Sequence, residues 1–570
     1  MLWFGGHKGP TSVSRPVGTR YLWPRSTSVW ISETFPTEWI HTAEAGSRRV
    51  AILGVCGIPK PYVRDLAERG VPNNVTWLWP GSYIAVESSD TGVKVWTDLG
   101  SARPIYVREY AGAYVWANSA RLLASLDSTG LDLNHLVGRV LPPEIGAPDV
   151  LSTYFSGVER VPAGHRLDLP TKGKRRTLPT WRRRSVPNAH HARNLRSALE
   201  EAVHVRLKMA ARVTADLSGG FDSTALALLA VQHRSADELF PVITGHPEGV
   251  TIGGDLDYAN EVAEHPGFRR YLLPRGSGQA PYQGFTDIPA GDEPAPSTMT
   301  FALLRHQLTW LRRFGSDLHM TGDGGDSLLS TPLVFINDLI HRKRIRRAAQ
   351  EAARWAQLRD TSLIAVLCRV RSQHSTIEAL PKWFTAQACQ RRRIRPVHPF
   401  PGVFTGSEAQ DHIFHAISEI GRSAHADAQV AEALGVALHN PYTDGNVIDT
   451  YLAIPPLELP SPTRYKPVLA QAMSDLFPAR LLRRTTKGDS TSDHYRGVRE
   501  ALPNLRTLMD GRLRELGLID LSAMHHALTQ VAVGTGPALY QIKNTLAAET
   551  WVRSLESAPE IRWEPPCPTT

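Results

Sequence analysis

Short apolar runs separated by Gly, Ser and Asp dominate the first third of the chain. They are Val50-Ala51-Ile52-Leu53, Tyr83-Ile84-Ala85-Val86, Val93-Lys94-Val95-Trp96, Pro104-Ile105-Tyr106-Val107 and Tyr114-Val115-Trp116-Ala117. Runs of this length between turn residues predict strands, and their number predicts sheets packed on one another. The period then changes. Leu195, Ala198, Leu199, Ala202, Val203 and Leu207 mark one face of an amphipathic helix. Beyond it, apolar strands and helices alternate before the pattern becomes helical towards the C-terminus. The basic stretch 171–188, bracketed by Pro170, Pro179 and Pro187, is the expected boundary between domains 1–187 and 188–570. No internal repeat is visible, and the proline-rich tail 565–570 is expected to be disordered.

The richest chemistry sits at a predicted strand-to-helix passage, Asp216-Leu217-Ser218-Gly219-Gly220-Phe221-Asp222-Ser223-Thr224. Two glycines let the backbone approach an anion, two serines offer hydroxyls, and the helix that follows points its first N–H groups at the same place. The loop is built to grip phosphate, yet it has neither the Gly-Lys-Ser/Thr of a Walker A loop nor the Gly-x-Gly-x-x-Gly of a dinucleotide site. A second loop, Thr321-Gly322-Asp323-Gly324-Gly325-Asp326-Ser327, follows the short apolar stretch Leu318-His319-Met320. In an open α/β sheet such loops gather at the carboxyl ends of the strands, so Asp222 and Asp326 could share one metal ion. Taken alone, each loop could also be an ordinary turn.

Composition narrows the class. With 570 residues, 42% hydrophobic and 21% charged, the chain is globular and long enough for at least two domains. No apolar run reaches the roughly 18 residues of a membrane span, and the start lacks the features of a secretion signal, so a soluble cytoplasmic protein is expected. Cys56, Cys368, Cys389 and Cys567 lie too far apart for a zinc motif or a disulfide framework and are expected to be buried free thiols. The net charge of +9 is partly clustered, at Lys172 to Arg184, at Arg342 to Arg347, and at Arg391-Arg392-Arg393 with Arg395. Each cluster could be a solvated face or a docking site for an acidic peptide or protein; no nucleic-acid module accompanies them.

The form Ser-Gly-Gly-x-Asp-Ser at 218–223 resembles the PP-loop of ATP pyrophosphatases. Together with Gly322-Asp323-Gly324-Gly325-Asp326, with Trp79-Pro80-Gly81-Ser82-Tyr83, Asp98-Leu99-Gly100 and Val161-Pro162-Ala163-Gly164-His165, the chain is similar to the asparagine synthetase superfamily over nearly its whole length. The resemblance implies an N-terminal α+β sandwich, a degenerate class II glutamine amidotransferase-like domain, followed by an α/β PP-loop ATP pyrophosphatase synthetase domain. Such glutaminases use a cysteine at position one, whereas Met1-Leu2 stand here, so glutamine hydrolysis is not expected and the N-terminal domain is expected to serve as scaffold.

Two branches of the superfamily form amides without glutamine, the β-lactam synthetases and the lasso-peptide cyclases. The stretch Ala424 to Val436 leading into His439-Asn440-Pro441-Tyr442-Thr443-Asp444, and Arg484-Thr485-Thr486-Lys487-Gly488-Asp489 with Asp493, Tyr495 and Gly497, resemble the cyclases. Tyr442-Thr443 depart from the superfamily's Phe-Leu, and Asp444 reads more simply as a helix N-cap. The resemblance implies ATP and Mg²⁺ as cofactors. Ser218, Gly219, Gly220 and Ser223 would hold the β and γ phosphates, Asp222 and Asp326 the metal, and Leu217, Thr244, Thr321 and Gly322 the nucleotide. Lys487 would stabilise the oxyanion and α-phosphate. Asp323 would take a proton from the amine or, equally, brace its loop. The implied partners are a precursor peptide, a leader-binding recognition protein and a leader peptidase. A β-lactam-type or other small-molecule amide synthetase, a catalytically silent scaffold, and asparagine synthesis from free ammonia are the competing readings.

Overall fold

The five apolar runs are strands in the computed structural model, which describes residues 1–9, 13–24, 26–140, 151–187, 190–235, 238–372, 381–391, 405–485, 488, 491–536 and 539–564. The N-terminal strands are β1 (Phe4–Lys8), β2 (Thr19–Trp23), β3 (Ser26–Ser32), β4 (Ile40–Ala45), β5 (Arg48–Gly54), β6 (Tyr83–Ser89), β7 (Gly92–Trp96), β8 (Ile105–Tyr110), β9 (Ala113–Ala117), β10 (Glu159–Val161), β11 (His165–Pro170) and β12 (Arg176–Pro179). They form two six-stranded sheets, ordered β10-β8-β9-β1-β3-β2 and β12-β11-β7-β6-β5-β4. Phe4, Val29, Ile31 and Val107 of the first sheet share one fully buried cluster with Leu53, Val86, Val95 and Leu167 of the second. Each such side chain withdrawn from water contributes about 1.5–3 kcal/mol, which is why the alternating positions hold the sheets face to face.

One expectation, that all four thiols are buried, needs correction. The expected boundary stretch 171–188 also carries a strand, because β12 pairs antiparallel with β11 along its length. Its side chains are all exposed, so no hydrophobic period betrayed it; backbone pairing alone makes it an edge strand. The thiols divide. Cys56 is buried, but Cys368 and Cys389 are exposed, on helices whose other faces pack inward; Cys567 lies outside the described residues, as does the tail 565–570.

A third, five-stranded sheet is parallel. Its strands are β13 (Val213–Asp216), β14 (Phe240–Pro247), β15 (Phe268–Arg275), β16 (Leu318–Met320) and β17 (Ala437–His439), in the order β15-β14-β13-β16-β17. After β13 the chain winds outward one way through β14 and β15, then returns to β16 and β17 on the other flank. The switch point lies between β13 and β16, where open α/β sheets bind ligands beyond the strands' carboxyl ends. The helix His191–Met209 carries the anticipated face, with Leu195, Ala198, Leu199, Ala202 and Val203 buried.

The two sheet systems meet at close backbone contacts that only glycine permits. A Cβ on Gly421 would come within 1.7 Å of the Gly100 carbonyl oxygen, and one on Gly445 within 2.3 Å of the Thr76 carbonyl oxygen. Beside this seam a buried ion network ties Arg139 and Arg160 of the N-terminal half to Glu419, at 2.6 and 3.0 Å, with Arg422 at 3.1 Å bridging onward to Glu293. Burial opposes the charge on Glu419, but Arg139, Arg422 and Arg160 outweigh it and hold its carboxyl well below the usual range. Glu419→Ala removes the carboxylate of Arg139 and Arg160 and leaves Arg422 with Glu293 alone, and is expected to cost about 3–5 kcal/mol in chemical denaturation. Because the carboxyl is lowered on folding, its contribution is present above the ordinary glutamate value and fades as pH falls through the folded one. Equal acid sensitivity of native and variant chains would contradict this.

Candidate active site

The loop between β13 and the helix Phe221–Gln232 is held open at its rim and closed on itself inside. Ser218 and Ser223 hydroxyls lie 2.8 Å apart, the Ser218 N–H donates to Ser223 Oγ at 3.2 Å, and the Gly220 N–H donates to Ser218 Oγ at 3.3 Å. Gly219 takes φ +81°, and a Cβ there would sit 2.1 Å from the Asp255 carbonyl oxygen, so this turn requires glycine twice over. Gly220 is the N-cap and supplies no side-chain acceptor, which leaves the first-turn N–H groups of a three-turn helix to face an anion.

The loop after β16 closes directly over Asp222. A Cβ on Gly325 would fall 2.4 Å from the Asp222 carboxyl carbon, and one on Gly322 2.8 Å from the Ser223 nitrogen. The two glycines therefore let the second loop lie against the first, and both carboxylates converge on one ammonium. Lys466 Nζ, fully buried, pairs with Asp222 Oδ2 and, at 2.5 Å, with Asp326 Oδ1. Asp222 and Asp326 thus approach closely enough to hold one cation between them. Two hard carboxylates beside a phosphate-facing loop suit Mg²⁺, which takes one or two carboxylates with phosphate oxygens and water. Among the described residues there is no cluster of three or more His, Cys, Asp or Glu able to cage a metal.

The segment after β17 braces both loops. Tyr442 Oη donates to the Asp222 carbonyl at 3.1 Å, and Thr321 Oγ1 lies 2.6 Å from Asn440 Oδ1 and 2.9 Å from Asp323 Oδ2. Thr244, on β14, is buried and donates to the Leu217 carbonyl at 2.7 Å while accepting from Arg270 Nε at 3.0 Å. Leu217 is itself fully buried, and its N–H donates to Ile243. Asp444 occupies the N-cap position of the helix Gly445–Leu452 but makes no capping bond. It grips Arg206 through both oxygens, at 2.6 and 2.7 Å, and accepts from Ser82 of the N-terminal half at 2.5 Å. The N-cap expectation fails because a buried guanidinium offers this carboxylate a stronger partner than a backbone N–H.

Arg484 links the first loop to the segment that follows it. Its Nη1 donates to the Gly219 carbonyl at 2.8 Å, its Nη2 pairs with Asp255, and its guanidinium lies 4.4 Å from the centre of the Tyr258 ring. The Gly488 N–H also donates to Asp255 Oδ1, at 3.1 Å. Lys487 lies outside the described residues; its neighbours Thr485 and Gly488 are described, and Gly488 is fastened to the residue that packs against Gly219.

The sequence profile of the asparagine synthase family matches residues 194–553, well over half the chain. The chain belongs to the asparagine synthase family. Membership implies ATP-dependent amide bond formation. No match to a curated protein was found. Among solved structures, a glutamine phosphoribosylpyrophosphate amidotransferase from B. subtilis complexed with ADP and GMP is 13% identical, covers 49% of this chain and 72% of that one, with a TM-score of 0.17. A second, described as the allosteric regulatory enzyme of purine biosynthesis, is 11% identical, covers 52% and 66%, and gives 0.19. At these TM-scores the likeness carries no weight for fold or function.

Within this asparagine synthase domain the sequence left several site residues unnoticed. Lys466 had one signal, its place beside Pro467 at the start of a helix, and that signal does not point to two distant aspartates. Asp427 is another. It accepts from the Ser297 N–H at 3.1 Å and from the Ser297 hydroxyl. Burial raises its carboxyl to about 7, the Ser297 bonds oppose that rise, Asp323 adds to it and Lys543 lowers it. Asp216 ends β13 and accepts from Gln307 at 2.8 Å, with His319 Nε2 at 3.1 Å. Burial lowers the Arg275 guanidinium, and Asp216 and Asp493 pull it back up. Four carboxylates, Asp216, Asp323, Asp427 and Asp493, thus lie beside the loops, with Arg275 and Lys543 among them.

Proposed function

We propose that the chain is a macrolactam synthetase of the lasso-peptide cyclase type. It adenylates an Asp or Glu side chain of a precursor peptide and joins that carboxyl to the peptide's own N-terminal amine. The observation that carries the adenylation half is the convergence of the Ser218–Ser223 loop and the Asp222 and Asp326 carboxylates at the switch point of the parallel sheet. The peptide half rests on the resemblance of residues 424–444 and 484–497 to the cyclases.

A carboxylate resists attack by an amine because its oxygen leaves poorly, and activation removes that obstacle. A carboxylate oxygen attacks the α-phosphorus of ATP, the bond to the β-phosphate breaks, and pyrophosphate departs. Ser218, Gly219, Gly220 and Ser223 hold the β and γ phosphates through N–H and hydroxyl groups. Asp222 and Asp326 would hold Mg²⁺, which when bound would offset charge on the leaving pyrophosphate. Leu217, Thr244, Thr321 and Gly322 shape the nucleotide side. The α-amine then attacks the acyl carbon, Lys487 stabilises the oxyanion, AMP leaves and an amide forms. The amine's proton passes to the carboxylates beside the loops, where Asp323 faces Asp427.

A base whose carboxyl titrates at about 7 must lose its proton to act. Amide formation should therefore rise with pH through about 7 and level off above it. Asp427→Asn should flatten that rise, and Asp323→Asn should move it to lower pH by removing the neighbouring charge. The linked stability effect has the opposite direction. Asp427 favours the folded state in its protonated form, so the native chain should lose stability relative to Asp427→Asn as pH rises from about 4 to about 7. A pH–rate profile unchanged in Asp427→Asn would remove this residue from the proton path.

The direct test is mass spectrometry of a leader-free candidate peptide incubated with the enzyme, ATP, Mg²⁺, a recognition protein and a leader peptidase. Loss of one water from the peptide together with AMP release is expected. AMP formation with small amino-acid derivatives alone would instead establish a small-molecule amide synthetase.

A further inference from the structure

We infer that an arginine-lined cavity on the far side of the first loop is a binding site for inorganic pyrophosphate on its way out. The cavity, of about 1240 Å³, opens between the N-terminal turns of the helix His191–Met209 and the segments around 460–475 and 482–485. Arg484 and Tyr465 belong to its wall. Arg484 is the residue that donates to the Gly219 carbonyl, and Tyr465 precedes Lys466 and packs its ring 5.0 Å from that of Phe221, the first residue of the phosphate-facing helix. The cavity therefore abuts the phosphate loop from behind.

Its charge is what an anion would require. Arg193, Arg464 and Arg483 line it, all are exposed, and none has a carboxylate within ion-pair distance among the described residues. The carboxylates of the wall are already engaged. Glu200 and Asp475 pair with Arg196 at 2.5 and 3.1 Å, and Glu458 with His191 at 2.9 Å. Five guanidinium groups, those of Arg193, Arg196, Arg464, Arg483 and Arg484, outnumber the three carboxylates of Glu200, Glu458 and Asp475 in the wall. A product bearing several negative charges is drawn to such a net-positive cleft, which focuses the field and concentrates the opposite ion. The width of the cavity lets the anion keep its water, so the site holds it loosely and releases it.

The inference rests on the adenylation reading, since only that reaction makes pyrophosphate here, and its test separates the two. Titration calorimetry with inorganic pyrophosphate, AMP and ATP would be run on the full chain and on Arg193→Ala/Arg464→Ala/Arg483→Ala. Pyrophosphate affinity is expected to fall about tenfold at low salt, to converge with the native value at high salt where screening is strong, and AMP affinity to stay within about twofold. Unchanged pyrophosphate affinity in the variant, alongside intact ATP binding, overturns the exit site alone. An equal loss of AMP affinity overturns it too, by exposing a general disturbance. A native chain that binds none of the three overturns the adenylation reading itself.

Discussion

Asp222→Ala is expected to lower ATP cleavage on the order of 10³-fold, the largest single effect on chemistry that this site predicts. The carboxylate faces two ways. One oxygen holds Lys466, and the side chain sits under Gly325 where a Cβ would collide with it, so the second loop is seated on this group. Its loss removes a metal ligand and loosens the loop carrying Asp326. Asp222→Asn keeps the shape and removes the charge, and should lose nearly as much if the metal is what matters. Asp326→Asn should lose less, because Asp326 is about half exposed and its loop has other anchors at Thr321 and Asn440. The pair should be non-additive. Two ligands of one ion act as a unit, so the double variant should be little worse than Asp222→Asn alone. Pyrophosphate release under saturating ATP measures all four variants, and full additivity would mean that the carboxylates serve separate tasks.

How much of this was legible beforehand depended on whether a feature was local. The five apolar runs and the helix face at 195–207 were readable because side-chain period reports directly on a half-buried strand or helix. The loop at 218–223 was readable because its glycines, serines and aspartate are contiguous and each has a physical reason to be there. The strands β1 to β4 and β10 to β12 carry too few alternating apolar residues to stand out; β12 has none buried. The pairing of Asp222 with Lys466, 244 residues away, and that of Arg206 with Asp444, 238 residues away, were illegible for another reason. A buried charge announces that it needs a partner only once burial is known, and burial of an isolated Lys or Arg is the exception. Asp444 shows the cost of reading locally: its sequence position is that of an N-cap, and its side chain serves a different element altogether. Asp427 hides inside a helix whose small residues read only as a packing face, and its raised carboxyl arises from burial and from Asp323, which comes against it from far along the chain.

The second large expectation concerns Lys466, whose one local signal, its place before Pro467, marked only the start of a helix. The ammonium is fully buried, held by Asp222 and Asp326 and lying 5.3 Å from the centre of the Tyr465 ring, on a backbone at φ +40° that a non-glycine residue seldom adopts. A strained residue held in place by two carboxylates and a ring persists because its charge is needed there. Lys466→Met keeps much of the stem and deletes the charge, leaving Asp222 and Asp326 without the ammonium they share. Thermal and chemical denaturation should show a loss of about 3–5 kcal/mol. Mg²⁺ should raise the melting temperature of this variant more than that of the native chain, because a divalent ion then relieves the repulsion that Lys466 relieves in the native one. Catalysis should fall on the order of 10²- to 10³-fold even with Mg²⁺ present, since Asp222 and Asp326 lose the ammonium that fixes their positions. Lys466→Arg should not rescue, because a planar fork cannot occupy the point between two carboxylates that a compact ammonium fills. If Lys466→Met is as stable as the native chain and answers Mg²⁺ identically, the two aspartates do not share a cation, and the metal assignment fails with it.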